Sequence, residues 1–223
     1  MRTIAYVDGY NLFYSILTGS PYKWLDLFTL FENHIIPDIS PDSELIQIKY
    51  FTAPALGRLA KDPKVEQRQA HYHKALKARG NIETIKGYHQ SVVKKGILAN
   101  PPEGHPLGEK VEVHLMEEKQ TDVNIGLHMY RDAMHGNCDH VILCSNDADL
   151  EPVIEMIRAD CPEVQISVVL PRKPGSKSRL STRLLKNAHK KRRSINEEEL
   201  AASQLPSHSL DHRNRAIKRP TEW

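Results

Sequence analysis

A chain of 223 residues, 39% hydrophobic and 26% charged, can fill one well-buried domain with extensions, or two small ones. It has no apolar run near the roughly 20 residues that span a membrane, and its net charge of +3 does not by itself argue for a polyanionic partner. Three cysteines, an odd count without a Cys-x-x-Cys pair, exclude a disulfide framework and a zinc knuckle, and the early acid Asp8 excludes a secretory signal. These features predict a soluble protein of a reducing cytoplasm.

In chain order, the unbroken apolar run at 4–7 predicts a first strand buried on both faces, with Asp8 and Gly9 at its end. Residues 24–32 predict a helix whose inner stripe is Leu25, Phe28, Phe31 and Ile35, stopped by Pro37 and Pro41. A second strand follows at 44–51, a polar helix from 63 to about 79 closed by Gly80, and a third strand at 82–87. Residues 88–118 alternate with period two around a Pro/Gly-rich stretch, and read as an edge hairpin or long loop. A helix then begins near Asp122, with Val123, Gly126, Leu127, Tyr130 and Met134 as its expected inner face. Strand 141–144, helix 150–158 and strand 164–170 complete the pattern. Leu180, Leu184, Leu185 and Ala188 predict one more docked helix, with Ile195 and Leu200 as a small cap.

Strands separated by helices imply crossover units and a mainly parallel sheet, an α/β fold. The expected domain is 1–195, with a hairpin or loop insertion at 88–118 and a basic helical region at 172–195. Residues 196–223 carry few apolar side chains without a period, and are expected to form a flexible tail.

Ligands of parallel sheets bind beyond the carboxyl ends of the strands. Asp8, Asp147 and Asp149 fall at such ends, and Asp122 opens a helix that can point the same way. Carboxylates repel one another when crowded, so converging acids imply a divalent cation with oxygen ligands. Each acid also has a plain structural role open to it: Asp149 capping a helix, Asp122 favouring a helix N-terminus, Asp8 stabilising a turn. Gly9, Gly57 and Gly80 stand alone, so no phosphate-cradling glycine loop is present, and Ser145 has no evident base. The basic residues from Arg172 to Arg193, uninterrupted by any acid, attract polyanions or form a solvated face.

The segments Tyr6-Val7-Asp8-Gly9-Tyr10-Asn11-Leu12, Glu118-Lys119-Gln120-Thr121-Asp122-Val123 and Ser145-Asn146-Asp147-Ala148-Asp149-Leu150 together resemble the NYN family, LabA-like proteins among them, within the PIN-like nuclease superfamily. The resemblance covers about residues 1–170. It implies a three-layer α/β/α fold with strand order 3-2-1-4-5, and a metal-dependent ribonuclease site built from Asp8, Asp122, Asp147 and Asp149. Asn146 and Ala148 depart from the Gly and Ser of many relatives.

On this reading Asp8, Asp122 and Asp147 bind Mg2+ or Mn2+ directly or through water, and Asp149 is a further ligand or orients water. Asn11, Lys119, Ser145 and Asn146 support the pocket or touch phosphate, while Glu118 is either a further acid or an exposed edge residue. RNA, single-stranded or structured, is the expected partner. Arg172, Lys173, Lys177 and Arg179 would meet its phosphates, and Tyr10, with Phe13 and Tyr14 nearby, its bases. No membrane is expected, and the sequence leaves a homo-oligomer open. Two other functions compete: an RNA-binding or regulatory adaptor with little cleavage, and a phosphohydrolase of small nucleotides.

Overall fold

The computed structural model describes residues 1–55, 63–106, 108–177 and 179–221. Gly57 and the last two residues therefore lie outside the described residues. A six-stranded, wholly parallel sheet runs through the molecule in the order β3-β2-β1-β6-β7-β8, formed by β1 (Arg2–Asp8), β2 (Glu44–Thr52), β3 (Ile82–Lys86), β6 (His140–Cys144), β7 (Gln165–Val169) and β8 (Lys190–Arg192). Apart from the last, short edge strand, this is the expected order, because the intervening β4 (Tyr88–Ile97) and β5 (Lys110–Lys119) form a separate antiparallel hairpin.

Successive side chains of a strand point to opposite faces, and β1 serves both. Ala5 and Val7 join a core with Leu12, Trp24 and Leu76, while Ile4 and Tyr6 join another with Ile125, Met129 and Ile154. The first core lies under α1 (Gly9–Leu12), α2 (Leu27–Leu30), α3 (Ile36–Ile39), α4 (Val65–Arg79) and α8 (Glu197–Ala202). The second lies under α5 (Thr121–Met134), α6 (Glu151–Asp160) and α7 (Thr182–Asn187). Helices thus cover both faces, the α/β/α sandwich expected.

Three details differ from the sequence reading. The helical path does not stop at Pro37: residues Phe31–Ile35 form a π-helical turn, and the path continues into α3 with Pro37 in its first turn. The face of α5 is rotated. Ile125, Met129, Asp132 and Ala133 are buried, whereas Val123 and Leu127 are each 63% exposed and Met134 is 50% exposed. A stripe of purely apolar residues misled here because the true inner face includes the buried acid Asp132.

The third difference is the tail, which packs against the body. Asn196 and Glu199 form a reciprocal capping box that starts α8. Trp24 Nε1 donates to the Pro206 carbonyl at 2.9 Å, and Leu205 N donates to the Trp24 carbonyl at 2.8 Å. Beyond α8, β9 (His208–Leu210) and β10 (Ala216–Lys218) pair as a small hairpin that buries Ile217. Leu200 enters the first core as the expected cap, whereas Leu205 and Ile217 each enter it singly, so no period in sequence announces them.

Candidate active site

The site forms where β1 and β6 end. Asp8 closes β1 and is 4% exposed; its Oδ1 caps α1 by accepting from Asn11 N at 2.9 Å. Gly9 is required there, because a Cβ would sit 2.6 Å from both the Phe51 carbonyl oxygen and the Tyr50 ring. Ser145, just past β6, donates its hydroxyl to Asp8 Oδ2 at 2.9 Å and accepts from Asp147 N at 3.1 Å. Asp147 Oδ1 accepts from Asp149 N at 3.0 Å, so Asp147 rather than Asp149 caps the short turn before α6. Asn11 Oδ1 accepts from Asn146 N at 3.1 Å, pinning the two loops together. The structural roles and the clustering of the acids thus coexist.

Electrostatics report how closely the acids approach. Burial pushes the Asp8 carboxyl up, the hydrogen bonds from Asn11 and Ser145 oppose that, and the charges of Asp147 and Glu118 push it further. Asp122, half-buried in the first turn of α5, is pushed up to about 6 by burial and by Asp147, Asp8, Glu118 and Asp149, in that order. Among the described residues its carboxylate has no hydrogen-bond or ion-pair partner. Three separated stretches of sequence therefore deliver negative charge to one place. Glu118 joins them from the end of β5, accepting a short hydrogen bond from the Thr121 hydroxyl. Its approach is allowed by Gly87, where a Cβ would lie 2.3 Å from the Lys119 carbonyl oxygen and 3.0 Å from Glu118 Oε1.

Among the described residues, no three His, Cys, Asp or Glu side chains are gathered closely enough to hold one ion between them. The donor set is nonetheless all oxygen. A Mg2+ ion keeps several waters and needs only one or two carboxylates, so the residues fit a hydrated hard cation rather than a fully protein-ligated one.

Other expected site residues scatter. Lys119 pairs with Glu117 at 2.7 Å, and Glu117 also pairs with Lys94, so this lysine is engaged within the hairpin. Tyr10 turns inward: its hydroxyl lies 3.0 Å from His89 Nε2 and 3.3 Å from the Ala53 carbonyl oxygen. Tyr14, stacked on it, is 67% exposed. Arg172 donates a short bond to the Ser176 carbonyl, and Lys173 pairs with Glu197 at 3.1 Å. Lys177 and Arg179 are exposed. Arg179 is held beside the acids because its carbonyl accepts from Asn146 Nδ2 at 2.9 Å, and it helps line a cavity of about 410 Å³ with Asn146, Ala148 and Ser181.

The NYN domain family model matches residues 2–191. The chain belongs to the NYN family. Its sequence is also 40% identical over 239 aligned residues to a protein of Pseudomonas putida named 6-hydroxy-3-succinoylpyridine 3-monooxygenase HspA, covering 100% of this chain and 75% of that one. A crystal structure of a protein of unknown function from Vibrio parahaemolyticus has the same fold, with a TM-score of 0.51 at 21% identity over 88% of this chain and 94% of the other. Family and fold agree with a nuclease-like scaffold, while the curated relative carries a name from different chemistry. Among the described residues no helix is long and apolar enough to cross a membrane.

Proposed function

We propose that this NYN protein is a metal-dependent endoribonuclease, closest in kind to the LabA-like members, that hydrolyses RNA phosphodiester bonds in the cytoplasm. One observation carries the reading: acids from three separated stretches crowd close enough that burial and the charges of Asp147, Asp8, Glu118 and Asp149 push Asp122 up to about 6, a crowding that a divalent cation would offset. Mg2+ or Mn2+, held by Asp8, Asp122 and Asp147 directly or through water, would supply an activated water and charge relief on the phosphate.

The chain's own residues have distinct tasks. Ser145 and the Asn11 amide fix both oxygens of Asp8 by hydrogen bonds, so this carboxylate is pre-oriented. Asp149, exposed at the rim, would accept a hydrogen bond from an attacking water. Arg179, exposed beside the Asn146 loop, and Lys177, exposed two residues before it, meet the phosphates of the RNA.

RNA incubated with Mn2+ or Mg2+ tests this directly. Cleavage by the wild type should fall at least about a hundredfold in Asp8→Asn and in Asp147→Asn, each of which keeps a capping oxygen. RNA bound but left intact by the wild type would make the protein an adaptor, and turnover of mononucleotides alone would make it a nucleotide phosphohydrolase.

A second reading comes from the 40% identical relative named as a monooxygenase of 6-hydroxy-3-succinoylpyridine. It predicts consumption of that compound in air with a two-electron donor, and intact RNA. Observing both would replace the ribonuclease proposal.

A further inference from the structure

A second cavity, of about 240 Å³, opens beside the acids on the other side of Gly9, between α1 and α4. It is walled by rings. Tyr10 and Tyr14 stack with centroids 5.8 Å apart, and Tyr50 meets Tyr72 edge-on at 6.3 Å. Most polar groups of this wall are spent on the protein itself. The Tyr72 hydroxyl donates to the Leu25 carbonyl at 2.8 Å, and the Tyr10 hydroxyl faces His89 and Ala53. Gln69 accepts from Ala55 N at 2.7 Å and donates to the Ala53 carbonyl at 2.9 Å. What the wall leaves for a ligand is ring surface, the Tyr50 O–H, and the ammonium of Lys23; among the described residues no acid lines the cavity. Lys23 has no ion pair among the described residues. Burial pushes the Tyr50 phenol up, a hydrogen bond with Thr52 opposes this and the charge of Asp8 adds to it, so the phenol stays protonated and its O–H can donate.

We propose that this cavity binds a planar aromatic ring carrying an anionic group. The ring lies against Tyr14 and Tyr10, and the anion meets Lys23, with Tyr50 donating from the cavity floor. The volume admits one ring system with a short substituent and excludes a nucleic-acid duplex. Offset and edge contacts between rings favour such a ligand, and a cation without a partner favours an acid over a neutral ring. Two sources share this chemistry: a free heteroaromatic acid, or one nucleotide of an RNA strand whose phosphodiester lies at the acids. The site stands independently of the ribonuclease proposal, since none of the four aspartates lines it.

Calorimetric titration with 6-hydroxynicotinate, AMP and the neutral pyridine-3-methanol separates the possibilities. At least one anionic probe should bind at least tenfold more tightly than the neutral ring. Its affinity should fall at least tenfold in Lys23→Met and in Tyr14→Ala, with circular dichroism unchanged. Binding of 6-hydroxynicotinate assigns the site to a free acid, and binding of AMP alone assigns it to a nucleotide; either outcome supports the proposal. Failure of both anionic probes to bind at millimolar concentration, or binding indifferent to both substitutions, overturns it. Asp147→Asn should leave this binding intact while abolishing RNA cleavage, so the two proposals fail separately.

Discussion

The two ends of α5 hold acids in opposite electrostatic states. In the last turns, Asp132 is buried at 2% exposure and fully answered: Tyr6 donates to it at 2.8 Å, Asn137 Nδ2 at 3.0 Å, and the buried Lys49 forms a short ion pair with it. Burial would push this carboxyl up, but Lys49, Asn137 and Tyr6 together hold it below the usual range. In the first turn, Asp122 meets the same penalty and only further acids, and is pushed up to about 6. One helix therefore carries a neutralised acid that serves the fold and an unneutralised one that destabilises it. A group that costs stability and has no internal partner marks the place where an external cation is expected.

Breaking the neutralised end should have the largest effect. Lys49→Met leaves Asp132 buried without its cation, and urea unfolding should show a loss of about 3–5 kcal/mol. The double variant Lys49→Met/Asp132→Asn should regain much of this. Equal losses in the single and double variants would mean that the lysine contributes packing rather than charge. At the other end, saturating Mg2+ or Mn2+ should raise stability by about 2–3 kcal/mol, and Asp8→Asn should erase most of that gain. A thermal midpoint indifferent to both ions would remove the cation from this account.

A smaller effect sharpens the contrast through pH. The folded protein holds the Asp122 proton to about pH 6, above the ordinary 3.8, so the metal-free protein should lose stability as pH rises from about 4 to about 6. Asp122→Asn should flatten that slope and stabilise the metal-free protein at neutral pH by about 1 kcal/mol, a figure reduced for the partial exposure of the group. Destabilisation by this substitution would reverse the assignment. The smallest effect concerns RNA affinity. Arg179→Ala should lower the salt dependence of binding by about one phosphate contact, whereas Lys173→Ala, already paired with Glu197, should change it less. Filter binding across a salt series distinguishes the two.

The sequence alone was enough for the parallel α/β frame. Runs such as 4–7 and 141–144 are apolar without alternation, as strands buried on both faces must be, and local composition records that directly. It also named the acids, because strand ends and helix starts can be read locally. Tertiary structure decided what local reading could not reach. Lys119, adjacent to the motif, turned to Glu117, and Glu118 entered the acid cluster in its place. The buried face of α5 followed from Asp132, whose partner Lys49 lies on a different strand. Leu205 and Ile217 found their places in a core assembled from residues nearly two hundred positions away. Periodicity encodes which face of an element is buried. Which charges are answered, and which single side chains fill a distant gap, depends on contacts between elements that exist only once the chain has folded.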